Sequence, residues 1–82
     1  MKLKKILPYL DSLATVIIWD MTEDVKNGEN VFHGPVMDTP YYLLDFYLYN
    51  DINGKAVDAR FYDEEHEECG FVISVTENKP KK

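Results

Sequence analysis

The sequence predicts an α+β fold: a small antiparallel sheet of about four strands, a short N-terminal helix and one longer helix packed on one face. Four segments, at 14–19, 31–37, 55–62 and 70–77, are rich in β-branched or alternating apolar residues, as strands are. Asn-Gly dipeptides at 27–28 and 53–54 are strong turn signals. Between the second and third strands, residues 39–49 show helical spacing. The expected order of elements is α-β-β-α-β-β.

The chain opens with a pattern typical of a short helix over about 3–10. The apolar residues at positions i, i+3, i+4 and i+7 share one face of such a helix, and they are Leu3, Ile6, Leu7 and Leu10. Pro8 keeps this helix short, because proline lacks the N–H donor and clashes with the preceding turn.

Residues 14–19 and 31–37 predict the first pair of strands. The run ATVIIW is too apolar to alternate, which suits a strand that is central or covered on both faces. The polar connection at 20–30 contains the Asn27-Gly28 turn signal, so the second strand returns antiparallel. Gly34 and Pro35 interrupt the second strand and predict a bulge or an edge position.

Thr39 and Pro40 mark the start of the predicted helix at about 39–49. Proline suits the first helical position and holds the preceding residue in the extended conformation that an N-cap needs. A strand is the competing interpretation, because tyrosine and phenylalanine favour strands. On the helix, the side facing the sheet carries Leu43, Leu44, Tyr47 and Leu48. The opposite side carries Tyr42, Phe46 and Tyr49, which predict an interface for a homodimer or a protein partner.

The last two strands alternate in a way that predicts one buried face each, and they complete the core. The expected core residues of the whole chain are Leu10, Val16, Ile18, Val36, Leu43, Leu44, Leu48, Val57, Phe61, Phe71, Ile73 and Val75. No repeat and no linker interrupts the chain, so residues 1–82 are expected to form a single domain with basic, partly frayed termini.

The stretch DEEHEEC at 63–69 connects the last two strands and admits three interpretations: a metal site, a Cys-His active centre or a solvated loop. A tight zinc site normally has four ligands, and this chain has one cysteine. A reactive thiolate needs positive surroundings, whereas Cys69 has five acidic sequence neighbours beside His66, and His33 is the only other histidine. We therefore predict a loop without a metal, a cofactor or a catalytic residue.

Charge and hydrophobicity limit the classes of function. The net charge is −6, but residues 6–78 hold three basic residues against all 15 acidic ones, which gives that part a charge of −12. Direct nucleic-acid binding needs clustered basic residues and is not expected. Asp11 shortens the N-terminal apolar run below that of a signal peptide, and no segment approaches the roughly 20 apolar residues of a membrane span. A cytoplasmic protein is expected.

The segments KILPYLDSLATVIIWD and FHGPVMDTPYYLLDFYL together resemble small uncharacterised proteins of clostridia-type gut bacteria and their mobile elements. This resemblance covers nearly the whole chain and implies a bacterial cytoplasmic origin, but it implies no activity. A short helix before strands is also similar to small Sm-like or SH3-like barrels, although the predicted 39–49 helix departs from that plan.

The leading functional hypothesis is a non-enzymatic protein-interaction module or accessory protein, and the resemblance associates it with a mobile element. An alternative is an acidic mimic that inhibits a nucleic-acid-binding protein through a phosphate-like face formed by Asp58, Asp63, Glu64, Glu65, Glu67 and Glu68. A second alternative is a small-molecule binder or an enzyme, for which neither a nucleophile motif nor a glycine-rich loop is found.

Overall fold

The computed structural model describes residues 1–24, 26–50, 54–63 and 68–78, with the backbone alone described at 59–63 and 68–69. These residues form one mixed five-stranded sheet with a layer of 3₁₀ turns on one face. The strands are β1 (Thr15–Asp20), β2 (Glu29–Pro35), β3 (Tyr47–Leu48), β4 (Val57–Asp63) and β5 (Glu68–Thr76).

The sheet is built around β5, which pairs with three other strands. One edge of β5 lies parallel to β1, from Thr15 opposite Gly70 to Asp20 opposite Val75. The other edge is shared by β4 and then by β3, and both are antiparallel to β5. On the far side of β1, β2 returns antiparallel and forms the edge of the described sheet.

The connection between β1 and β2, residues 21–28, ends in a turn at the Asn27-Gly28 dipeptide, as the sequence predicts. Gly28 adopts a φ of +70°, a left-handed conformation that glycine takes without steric cost. The Asp24 carboxylate accepts hydrogen bonds from the main-chain N–H groups of Lys26 at 3.1 Å and Asn27 at 3.0 Å. These bonds close the turn on itself, so the hairpin of β1 and β2 is confirmed.

A β-bulge lies in β2 at Val31. Ile18 pairs with Phe32 and Trp19 pairs with Asn30, so Val31 is an extra residue without an opposite partner. The Asn30 side-chain amide donates to the carbonyl groups of Ile18 and Phe32, at 3.2 Å each, on both strands of the bulge. The predicted edge position of β2 is confirmed, while its bulge lies ahead of Gly34 and Pro35.

Two chain segments, 1–14 and 36–46, lie side by side and antiparallel, and we call them together the 3₁₀ layer. Backbone hydrogen bonds join them at both ends: Leu3 N to Phe46 O and Lys4 N to Leu44 O at one end, and Met37 N to Ser12 O and Val36 N to Ala14 O at the other. The layer contains four single-turn 3₁₀ helices, at Leu3–Lys5, Leu7–Tyr9, Val36–Asp38 and Tyr41–Leu43.

The core lies between one face of the sheet and the 3₁₀ layer. The sheet contributes Val16, Ile18, Ile73 and Val75, all fully buried. The layer covers them with Leu3, Val36, Leu43 and Phe46. Of the predicted core, Leu10, Leu48, Val57 and Phe71 are partly buried against this cluster, Leu44 is half-buried, and the side chain of Phe61 lies outside the described residues. Leu3, Phe46 and Met21 are buried but were not predicted as core.

The predicted helix over 39–49 is not present. The segment forms the 3₁₀ helix Tyr41–Leu43, one further turn, and then the short strand β3. The Tyr49 N–H donates to Ser74 O, and β3 pairs with the free end of β5. Tyr47 and Leu48 therefore form a strand and not a helix, in line with the strand preference of tyrosine. They can do so because the last residues of β5 are not paired with β4. The short helical opening is found, divided at Ile6 into two 3₁₀ helices.

The predicted antiparallel sheet of four strands is also corrected. All four predicted strands exist, but β3 is a fifth, and β1 and β5 are parallel. A parallel pair requires a long crossover connection, and here everything from β2 to β4 lies between the two strands. Turn signals report only on neighbouring strands, so they could not indicate this pairing.

Candidate functional site

The outer side of the 3₁₀ layer, its exposed face, carries the exposed large hydrophobic residues of the described part of the chain. They are Met1, Tyr9, Leu13, Met37, Tyr41 and Tyr42. Tyr9 and Tyr41 are the most exposed, at 88% and 89%. Contiguous exposed apolar surface beyond a few hundred Å² is uncommon on monomeric proteins and marks interaction sites.

Side chains that point into the core fix the position of this face. In a 3₁₀ turn, residues three apart lie on the same side, so Leu43 and Phe46 both enter the core. Tyr41 and Tyr42 then extend outward. The Tyr42 ring packs edge-on against the Phe46 ring, with centroids 6.0 Å apart and planes at 78°. The exposed Tyr42 therefore contacts a core residue directly.

Open depressions lie beside the exposed tyrosines. The middle of the layer, where no backbone hydrogen bond joins its two described segments, has a depression of about 400 Å³ bordered by Leu7, Met37, Tyr41 and Leu44. Another, of about 740 Å³, is bordered by Met1, Lys5, Ile6 and Tyr9. The surface thus has protruding rings next to apolar hollows.

The two ends of the layer carry opposite charge. At one end, Lys4 and Lys2 lie 3.1 Å and 3.7 Å from the same Asp45 carboxylate oxygen. The Lys4 ammonium, through its hydrogen bond and its charge, lowers the pKa of the Asp45 carboxyl, with Lys2 adding to the effect. Lys5 is exposed at this end, which is therefore net positive. The other end carries the exposed carboxylates of Asp11 and Asp38.

The predicted interface of Tyr42, Phe46 and Tyr49 does not exist as one surface. Tyr42 is exposed at 60%, Phe46 is buried at 9%, and Tyr49 is half-buried beside β5. The prediction located an aromatic surface in this segment, but its helical wheel selected a core residue. Tyr9, Leu13, Met37 and Tyr41 were not singled out, because their exposure depends on how the two segments of the layer pair.

Most of the predicted acidic face lies outside the described residues. Glu64, Glu65 and Glu67 are not described, and only the backbone is described at Asp63 and Glu68, which pair across β4 and β5. Asp58 is half-buried in β4. His66 also lies outside the described residues, and Cys69 belongs to β5, opposite Phe61. β4 and β5 therefore extend into both ends of the predicted loop at 63–69. The absence of a metal site and of catalytic residues from this loop stays a prediction.

A third depression, of about 250 Å³, lies where β1 ends and is lined mainly by acidic residues: Asp20, Glu23, Asp24, Glu29 and Glu77. The Thr22 hydroxyl accepts the Glu77 N–H at 2.9 Å, which ties this end of β1 to the end of β5. Main-chain N–H groups of Asn27 and then Lys26 lower the pKa of the Asp24 carboxyl. Within the described residues, no group of three or more acidic, histidine or cysteine side chains could hold a metal ion.

Comparison with protein-family models, curated proteins and solved structures found no match for this chain. Among the helices described here, none has the length and hydrophobicity that would let it cross a membrane.

Proposed function

We propose that this protein is a non-enzymatic interaction module that binds another protein through the exposed face of the 3₁₀ layer. One observation supports the proposal above the others: every exposed large hydrophobic side chain in the described part of the chain lies in that layer. A role as accessory protein of a mobile element, and a cytoplasmic location, belong to the proposal and rest on the sequence alone.

The composition of the face supports a protein as the ligand. Tyrosine is amphipathic and is enriched at protein interfaces, where its ring is buried and its hydroxyl meets water. Three tyrosines, two methionines and a leucine form the exposed apolar set. The depressions beside them are open, whereas small-molecule sites enclose most of their ligand. A broad, shallow surface of this kind suits contact with another folded surface.

The acidic-mimic alternative has less support from the described residues. A mimic needs its carboxylates on one continuous face. The described carboxylates are divided between sites: Asp20 and Glu29 pair where β1 ends and line the acidic depression, whereas Asp38 lies near the start of β1. The mimic hypothesis stays a prediction for the segment 63–68.

Site-specific photocrosslinking in the cells that produce the protein tests the proposal. A benzophenone amino acid replaces Tyr41 or Tyr9 in the face, and Glu23, which is exposed in the connection between β1 and β2 and outside the layer, serves as the control. We expect discrete protein adducts from positions 41 and 9 and none from position 23. Adducts from all three positions alike, or from none, would contradict binding through this face.

A further inference from the structure

Resting on the proposed function, we propose that the partner is a second copy of this chain, bound face to face through the 3₁₀ layer across a twofold axis. Such an interface is isologous, so the same surface is used by both copies and must complement itself. Area, shape and charge each meet that requirement.

The area of the face matches a standard interface. Each tyrosine can bury about 150–250 Å², and the three in the face are between 60% and 89% exposed. With the smaller contributions of Met1, Leu13 and Met37, the exposed apolar side chains supply at most roughly 700 Å² per copy. A stable complex buries about 800 Å² per partner. The apolar side chains alone therefore approach the area that a dimer needs.

The shape of the face is self-complementary. Tyr41 projects at the border of the depression formed with Leu7, Met37 and Leu44. A twofold axis that lies in the interface and runs between Tyr41 and this depression brings the ring of each copy to the depression of the other. Rigid aromatic rings that enter apolar pockets are the contacts that contribute most to binding in protein interfaces.

The charge of the face supplies the orientation. Lys5 lies at the positive end of the layer and Asp38 at the negative end, and both are exposed at the borders of the depressions. A twofold axis that lies in the interface and crosses the line between Lys5 and Asp38 at right angles at its midpoint exchanges the positions of these two residues. Each copy therefore places Lys5 opposite Asp38 of the other, which gives two ion pairs, whereas a parallel superposition would oppose like charges.

The first experiment measures mass in solution by light scattering after size exclusion, over a dilution series. The wild-type protein should have twice the monomer mass of 9.6 kDa at high concentration. Tyr41→Lys places a charge at the centre of the face and should give a monomer throughout. Because Tyr41 is 89% exposed, this variant should keep the wild-type circular dichroism and melting behaviour at dilution. Glu23→Lys is the control and should remain dimeric.

The second experiment tests the twofold arrangement by exchanging charges. Lys5→Glu alone and Asp38→Lys alone each oppose like charges at two places, so each should weaken the dimer by about tenfold or more. Mixed in equal amounts, the two variants form a heterodimer that has two ion pairs. In one pair, the glutamate introduced at position 5 faces the lysine introduced at position 38, and in the other the native Asp38 of the first copy faces the native Lys5 of the second. Mixing should therefore recover dimerisation, and high salt should remove that recovery by screening. Lys26→Glu mixed with Glu23→Lys is the control pair and should show no gain on mixing.

The outcomes separate this inference from the proposed function. A wild-type protein that is monomeric up to high concentration, or a dimer unaffected by Tyr41→Lys, overturns the second copy as partner. If photocrosslinks from position 41 then join a different protein, binding through the face still stands. If Tyr41→Lys abolishes the dimer but mixing the two charge variants does not restore it, the face is still the dimer interface. The twofold pairing of Lys5 with Asp38 is then overturned.

Discussion

Replacement of Phe46 distinguishes the observed turn and strand from a helix over the same residues. On a helix, Phe46 would lie outward with Tyr42, and truncating either ring would have a similar, small effect. In the structure, Phe46 is only 9% exposed and its main-chain carbonyl accepts the Leu3 N–H at 2.8 Å. Phe46→Ala therefore removes a ring that packs in the core beneath the 3₁₀ layer.

The expected cost follows from the buried area. About nine-tenths of the Phe46 ring is removed from water, which corresponds to about 4 kcal/mol as an upper estimate. Phenylalanine-to-alanine changes in protein cores cost about 3–5 kcal/mol. For Tyr42→Ala, with 60% of the side chain already exposed, the same calculation gives about 1–2 kcal/mol. The two variants should therefore differ by at least about 2 kcal/mol in the free energy of unfolding.

Urea unfolding followed by circular dichroism measures both variants. A domain of this length is expected to have a total stability of about 4–12 kcal/mol, so Phe46→Ala can approach complete unfolding. Phe46→Leu, which should cost about 1–2 kcal/mol, keeps the comparison measurable in that case. Two protein concentrations separate folding from dimerisation, because only the latter is concentration-dependent. Costs for Phe46→Ala and Tyr42→Ala within about 1 kcal/mol of each other would refute the assignment of Phe46 to the core.

Two further predictions concern the turn after β1 and the positive end of the layer. Gly28→Ala should destabilise the fold by up to about 1 kcal/mol more than Gly54→Ala in the same unfolding assay. Both glycines have positive φ, but among the described residues only the Cβ added at position 28 meets a neighbour, the Met21 sulfur at 2.5 Å, and the buried Met21 side chain would have to shift. Lys4→Met should raise the pKa of the Asp45 carboxyl measured by NMR titration, whereas Lys5→Met should leave it nearly unchanged.

The sign of the pH dependence follows from that Asp45 titration. Since its pKa is lowered in the folded protein, the ion pair with Lys4 stabilises the fold fully above the unfolded-state pKa of about 3.9. The contribution disappears as the pH falls through the lower folded-state value. Because both side chains of the pair are largely exposed to solvent, its effect on unfolding should be small, and the NMR titration is the more sensitive measurement.

Local patterns in the sequence predict the hairpin of β1 and β2 and the positions of β4 and β5. Asn27-Gly28 identifies the turn because few residues tolerate positive φ there. The apolar run at 14–19 suggested a central strand, and β1 does lie between β2 and β5. These signals succeed because their causes lie within a few residues of each other.

The remaining features depend on contacts between distant segments. The parallel pairing of β1 with β5 leaves no local trace, and β3 forms only because β5 extends beyond β4. In the same way, Leu3 becomes a core residue because its N–H reaches the Phe46 carbonyl across the layer. The candidate surface depends on these contacts too, so the sequence located an aromatic segment without showing which rings point outward.

The replacement of a helix by single 3₁₀ turns connects the fold with the proposed association. An amphipathic helix places its apolar residues on one stripe and turns charge outward on the other. In the 3₁₀ layer, each short turn places one or two apolar side chains in the core, such as Leu43 and Phe46. Neighbouring apolar residues, such as Tyr41 and Tyr42, then face outward. A layer one chain thick cannot cover its own outer side. Among the described residues, the fold therefore leaves apolar surface on the outer side of this layer, and the proposed association would remove that surface from water.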